Sequence, residues 1–125
     1  MFFQNSKKMR AHKLGKSGEA IAMEFLERKD YMILEKSFRF MRGEIDLIAR
    51  DGPTIVFVEV KTRADSPFGS PEESITPAKC RQIRRVAQGF ILKKHIKESA
   101  CRFDVLSIIF GADGRYRIKH IKNAF

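Results

Sequence analysis

Between Thr54 and Thr62 the chain reads T-I-V-F-V-E-V-K-T, a β-branched and aromatic run of the kind that fills a strand buried on both faces. Glu59 and Lys61 interrupt it. Just upstream, Glu44-Ile45-Asp46-Leu47-Ile48 sets two acids inside a second apolar strand. Charges in such places are costly unless they are paired, hydrogen-bonded or bound to metal.

The rest of the pattern supplies the neighbours of these two strands. Lys13 to Lys29 predicts a helix whose apolar stripe is Ile21, Ala22, Phe25 and Leu26. Gly15 and Gly18 weaken its first turn, so Ser17 is a candidate N-cap. Strands are expected over Tyr31–Phe40, Glu44–Arg50 and Thr54–Thr62, with Asp51-Gly52-Pro53 as a turn between the last two. Arg63 to Ser74, with Pro67, Gly69 and Pro71, predicts a loop. A second helix opens with Thr76 as N-cap and Pro77 at its first position and runs to about Lys97. Its buried face is Ile83, Val86, Ala87, Phe90 and Ile91. Strands at Phe103–Phe110 and Tyr116–Ile121 close the chain around Gly111–Gly114. The order is α-β-β-β-α-β-β, an α/β fold with a mixed sheet flanked by helices. Its first three strands form an antiparallel meander, and the second helix crosses over to set the Phe103 strand parallel to the Thr54 strand.

At 125 residues this is one domain, residues 13–125, preceded by a basic arm, residues 1–12, expected to be flexible. No segment has the apolar length of a membrane span or signal peptide, and two cysteines make no disulfide framework, so the expected setting is cytoplasmic and away from membranes. The net charge of +10 is segregated. Met1–Lys16 and Ser74–Lys97 each hold a run of Lys and Arg with no acid. Such clusters favour a polyanion, most often nucleic acid, through counterion release. Arg81, Arg84 and Arg85 form the outward face of the second helix; Lys79 and Gln82, near its start, could reach a phosphate or be solvated helix positions. His12, His95 and His120 have no paired acid or ligand spacing in the sequence, and Asp104 begins a strand either as a structural acid or as a support for the site from the neighbouring strand.

Alternation places Glu59 and Lys61 on one face with Ile55 and Phe57, and Glu44, Asp46 and Ile48 on one face of the neighbouring strand. If the hairpin closes with a loop from Asp51 to Thr54, Asp46 lies directly opposite Glu59; a three-residue loop would break that alignment. Opposed acids repel, and a hard divalent cation reverses the sign of that interaction. Mg²⁺ or Mn²⁺ asks for one or two carboxylates and completes its shell with water and phosphate oxygens, with the Val60 carbonyl as a further oxygen. Lys61 would orient a water or neutralise charge on the reacting phosphate. Glu19 flanks the apolar stripe of the first helix, where it could aim over the rim of the sheet or serve only as a first-turn acid. Glu44 is either a supporting acid behind the site or a partner for Arg42.

The succession Glu19, Asp46, Glu59-x-Lys61 resembles the PD-(D/E)XK nuclease superfamily, which includes restriction endonucleases and Holliday-junction resolvases. Within it the chain resembles most the YraN family of predicted endonucleases. The likeness is carried by Gly15-x-x-Gly18-Glu19-x-x-Ala22, Arg42-Gly43-Glu44-Ile45-Asp46-Leu47-Ile48 and Phe57-Val58-Glu59-Val60-Lys61-Thr62-Arg63. Phe68-Gly69-Ser70, Arg102-Phe103-Asp104-Val105 and Lys122-Asn123-Ala124-Phe125 extend it. Ile45 stands where the superfamily motif has proline, and the acid after it is kept. The resemblance implies a restriction-endonuclease-like fold and a Mg²⁺- or Mn²⁺-dependent nuclease site. Glu19, Asp46, Glu59 and Lys61 would be catalytic, with Glu19, Asp46, Glu59 and Val60 around the metal. DNA, branched or single-stranded, is the implied substrate, and analogy with junction-cutting relatives suggests a homodimer. The competing expectation is a nucleic-acid-binding protein on a nuclease scaffold, with weak turnover or none.

Overall fold

The computed structural model describes residues 2, 3, 14–64 and 75–125. Most of the basic arm, and the loop carrying Phe68-Gly69-Ser70, lie outside them. The elements are β1 (Phe2–Phe3), α1 (Leu14–Arg28), β2 (Met32–Phe40), β3 (Gly43–Asp51), β4 (Thr54–Ala64), α2 (Pro77–Lys93), β5 (Ala100–Phe110) and β6 (Tyr116–Ile121). One sheet holds the strands in the order β1-β6-β5-β4-β3-β2. All pairs are antiparallel except β4 with β5, which run parallel because α2 carries the chain across. This mixed sheet between two helices has the order α-β-β-β-α-β-β and is consistent with a restriction-endonuclease-like arrangement. The two-residue β1 is the one addition, Phe2 and Phe3 pairing with Arg117 and Tyr116 where an arm was expected.

The helix on each side of the sheet is fixed by the stripe its sequence carries. Ile21, Ala22, Phe25 and Leu26 of α1 pack on Leu47, Ala49, Val56, Val58, Leu106 and Ile108. Ile83, Val86, Ala87 and Phe90 of α2 pack on Phe38, Ile45, Ile48, Ile55 and Phe57 on the other side. Successive residues of β4 therefore enter opposite cores, which is why its sequence is apolar without a break up to Val58. No helix of the described residues is long and apolar enough to cross a membrane.

Several boundaries differ from the sequence expectation, among them the start of β5, at Ala100 rather than Phe103. Helix α1 begins at Leu14, so Ser17 sits inside its first turn rather than capping it. Strand β4 continues through Arg63 and Ala64, which extend the parallel ladder opposite Ile109 and Phe110. Helix α2 ends at Lys93; His95 takes φ +56, a conformation that cannot continue a helix.

A polar brace ties the start of β2 and the segment after β6 to the hairpin of β3 and β4. The Arg102 Nε donates to both oxygens of Asp104 at 3.0 and 3.1 Å. Its two terminal nitrogens donate to Asp51 Oδ2 at 3.0 Å and to the Tyr31 hydroxyl at 2.6 Å. The fully buried Asp104 also meets His120 Nε2 at 2.8 Å and accepts from the Asn123 amide at 3.1 Å. His120 thus has an acid partner, which its spacing along the chain concealed. Burial pushes the Asp104 carboxyl up, but these three hydrogen-bond donors outweigh it and hold it below the usual range.

Close approach of α1 to β4 depends on Gly18, where an added Cβ would collide with the Thr62 methyl. Helix propensity alone favours Ala over Gly by roughly 1 kcal/mol. Overpacking against a strand costs about 1–3 kcal/mol. The clash is with a stiff β-branched side chain, so Gly18→Ala is expected to destabilise by about 1 kcal/mol net, read as a lowered urea midpoint with an unchanged slope.

Candidate active site where strands β3 and β4 part

The β3–β4 ladder runs from Asp51 opposite Thr54 to Leu47 opposite Val58. Only Gly52, at φ +59, and Pro53 lie outside it, so the proline removes no ladder donor. This is the register that puts Asp46 across from Glu59. At that step the backbone ladder gives way to a side chain: the Val60 amide donates to Asp46 Oδ2 at 2.8 Å. The carboxylate thereby takes a place that a main-chain carbonyl would fill, and its remaining lone pairs are left for other partners.

The face expected for β3 slips at the same residue. Leu47 and Ala49 enter the α1 core and Ile48 the α2 core, yet Ile45 also packs with the α2 core. On β2, Lys36 and Phe38 pair with Leu47 and Ile45, which leaves Ser37 beside Asp46, and Ser37 takes φ +48. The strand rotates there, so Glu44, Asp46 and Ile48 do not share one face as simple alternation required. Glu44 pairs across the hairpin with Arg39, at 3.2 Å, rather than with Arg42.

Glu59 is buried, with only 5% of its surface exposed. Its Oε2 lies 3.6 Å from the Lys61 ammonium and 3.7 Å from that of Lys79. Lys79 comes from the first turn of α2, where the Thr76 hydroxyl caps the helix by accepting from the Lys79 amide at 3.1 Å. Gln82 accepts from the Lys79 ammonium at 3.2 Å. Asp46 and Glu59 are close enough to share a hydrogen bond between their carboxyl groups. Burial, and then the Asp46 charge, push Glu59 up to about 7 against the pull of the two lysines. Burial also raises Asp46, offset in part by the Val60 amide.

Glu19 faces the same end of the sheet. Its carboxyl is raised by burial first and then by the charges of Asp46 and Glu44. It does not close a cluster, because among the described residues no three His, Cys, Asp or Glu side chains gather tightly enough to hold a metal ion. The ready donor set is the two carboxylates of Asp46 and Glu59. Val60 takes part through its amide. Arg81, Arg84 and Arg85 are all exposed on α2, and the Arg84 guanidinium stacks over Phe103, 4.8 Å from the ring centroid, and reaches Phe125 at 5.8 Å.

A groove of about 600 Å³ opens beside the acids, lined by Arg39, Phe40, Met41, Arg42, Gly43 and Glu44 on one wall and Lys79 and Gln82 on the other. The sequence singled out Lys79 and Gln82 but gave Arg39 and Met41 no functional weight, since nothing in their spacing shows that the β2–β3 turn faces the start of α2.

The raised Glu59 carboxyl fixes a sign for stability. A group protonated more readily in the folded than in the unfolded state stabilises the fold at low pH, and that contribution is lost as pH rises through its folded pKa, here about 7. Glu59→Gln removes the group and should therefore unfold at higher urea than the unsubstituted protein at pH well above 7. The gap should shrink as pH falls toward the ordinary carboxylate range. An unchanged gap across that window would mean that burial does not govern Glu59.

The model of the uncharacterised protein family UPF0102 matches residues 18–108 of this chain, a span that includes Glu19, Asp46, Glu59, Lys61 and α2. A UPF0102 protein of Geotalea daltonii is 49% identical over 112 residues, covering 90% of this chain and 88% of the relative. One from Symbiobacterium thermophilum is 44% identical over 115 residues, covering 92% and 98%. One from Caldicellulosiruptor saccharolyticus is 46% identical over 118 residues, covering 94% of this chain and the whole of the relative. With the family model spanning most of the chain and such relatives matching nearly end to end, this protein belongs to the UPF0102 family.

Proposed function

We propose that this protein is a metal-dependent endonuclease of the PD-(D/E)XK type that hydrolyses phosphodiester bonds in DNA. The observation that carries the reading is the Asp46–Glu59 pair, two acids held together where burial raises both carboxyls and the Asp46 charge raises Glu59 further. A sheet gains no stability from such a pair, so the cost points to a bound partner. The donors fit a hard cation: carboxylate oxygens with no thiol or imidazole among them, and room left for water and phosphate.

Asp46 and Glu59 would hold Mg²⁺ or Mn²⁺, with the Val60 carbonyl as a further oxygen and Glu19 reaching the ion through water. The chemistry such an ion supplies when bound is neutralisation of phosphate charge and a more acidic water. Lys61, fixed 3.6 Å from Glu59, is placed to orient the attacking water and to offset charge as it builds on the phosphate. Lys79 and Gln82 approach from the α2 wall and would hold the scissile strand. Glu44 supports the site through its field on Asp46. The basic face of Arg81, Arg84 and Arg85 would bind the flanking backbone, a sequence-independent contact that weakens with salt. A cytoplasmic setting, and a homodimer in which each subunit cuts one strand, belong to the same proposal.

A second reading is favoured by one observation: two lysines already pair Glu59 without any metal. On that reading the protein binds nucleic acid and turns nothing over. Cleavage of junction, flap, single-stranded and duplex DNA in Mn²⁺ separates the two. A nuclease should lose more than about 100-fold in Asp46→Ala, beyond the loss usual for a residue behind the metal ligands, while DNA binding without metal is retained. Absence of cleavage on every substrate and with every divalent metal would leave only the binding module. For the nuclease, affinity for Mg²⁺ should rise with pH through about 7, because Glu59 must ionise to act as a ligand. An affinity flat across that range would remove Glu59 from the metal site.

A further inference from the structure

The turn between β2 and β3 is built against its own backbone preferences. Phe40 pairs with Gly43, which leaves Met41 and Arg42 as a two-residue loop, at φ +45 and +67. Two central residues at positive φ are the signature of a type I′ turn, the place for Asn-Gly or Gly-Gly. This chain has a methionine and an arginine there, each held in a region that L-residues with long side chains avoid. Met41 is also 69% exposed, one of three large hydrophobic side chains so exposed among the described residues. Strain combined with an exposed apolar tip is poor design for a turn whose only task is to connect two strands.

The tip stands at one wall of the 600 Å³ groove. Arg39 and Arg42 lie on that wall, Lys79 faces them from α2, and Lys79 also reaches Glu59. The groove therefore carries cations on both walls, and Lys79 links it to Glu59. Glu44 alone is acidic, and Arg39 already pairs with it at 3.2 Å. Cations on both walls and an exposed apolar tip offer contacts to the phosphates and to the base faces of a single extended strand, whereas a duplex keeps its base faces stacked inside.

We propose that the Phe40–Gly43 turn selects unpaired DNA, seating one strand in the groove with Arg39 and Arg42 on its phosphates and the Met41 side chain against an unstacked base. Methionine is among the apolar side chains that wedge between base steps, and contact with a base face tolerates any sequence. The strained backbone holds that side chain outward, ready to meet the strand. Rigid placement lowers the ordering cost of binding. The inference rests on the nuclease reading and deepens it by naming the form of the substrate that would reach the acids.

Its test is binding rather than turnover, so the two can fail separately. A short fluorescein-labelled oligonucleotide, alone or annealed to its complement, is titrated with full-length protein in EDTA and followed by anisotropy. The unsubstituted protein should bind the single strand more tightly than the blunt duplex. Met41→Gly relieves the positive φ, so its melting temperature should rise by a few degrees. The same variant should lose about fivefold in single-strand affinity, the low end of what one base contact contributes, with duplex affinity little changed. Met41→Asn, which also tolerates the turn, should repeat the loss and so guards against a folding artefact. Arg42→Ala should weaken both forms together and flatten the salt dependence. Equal affinity of the unsubstituted protein for the two DNA forms would overturn the proposal, as would a Met41→Gly variant that gains stability and keeps the single-strand preference. A strand preference that persists in a protein without nuclease activity would leave this inference standing and sink the nuclease reading alone.

Discussion

The structure turns on a carboxylate that water scarcely reaches. Glu59 sits at the point where the central strand stops being core and becomes site: Val56 and Val58 enter one apolar layer, Ile55 and Phe57 the other, and the next residue is an acid. Its charge is compensated by lysines from two different elements, Lys61 from its own strand and Lys79 from the first turn of α2. Asp46 works against that compensation from β3. Helix, strand and hairpin are all required for one acid to remain buried.

Two kinds of force hold the elements that meet there. Apolar stripes set the helices on the sheet, and small residues set how near they come. Gly43 sits under Val86 and Gln82, so the start of α2 can lie close to β3 and bring Lys79 to Glu59. At the far side of the sheet the Arg102 fork joins Tyr31, Asp51 and Asp104, and Asp104 extends the connection to His120 and Asn123. A planar guanidinium can satisfy several acceptors at once in a fixed fork, which suits a place where three strands and the chain end converge.

Much of the fold was legible because its signals are local. The Thr76-Pro77 start of α2, the two helical stripes and the apolar run of β4 each require only a few residues to read. The register of β3 against β4 was one of the alternatives that Gly52-Pro53 allowed, and the structure takes the one in which Asp46 meets Glu59. What escaped depends on backbone rotation or on residues distant in the chain. The slip at Asp46, where Ser37 adopts positive φ, overrides the alternation that would have kept Glu44 and Asp46 on one face. The Asp104–His120 contact joins neighbouring strands β5 and β6, and the groove joins a turn to a helix start. Neither has a spacing that a linear reading can see.

Strand β4 is bonded to β5 along its whole length, from Thr54 to Ala64, but to β3 only as far as Val58. The acid on β4 is thus mounted on a strand paired on one side throughout, while the acid on β3 sits just past the end of the β3–β4 ladder and is tied to β4 by its own carboxylate. The gap between the two carboxylates is set by that one side-chain bond to the Val60 amide, on the same strand that begins at the turn carrying Met41.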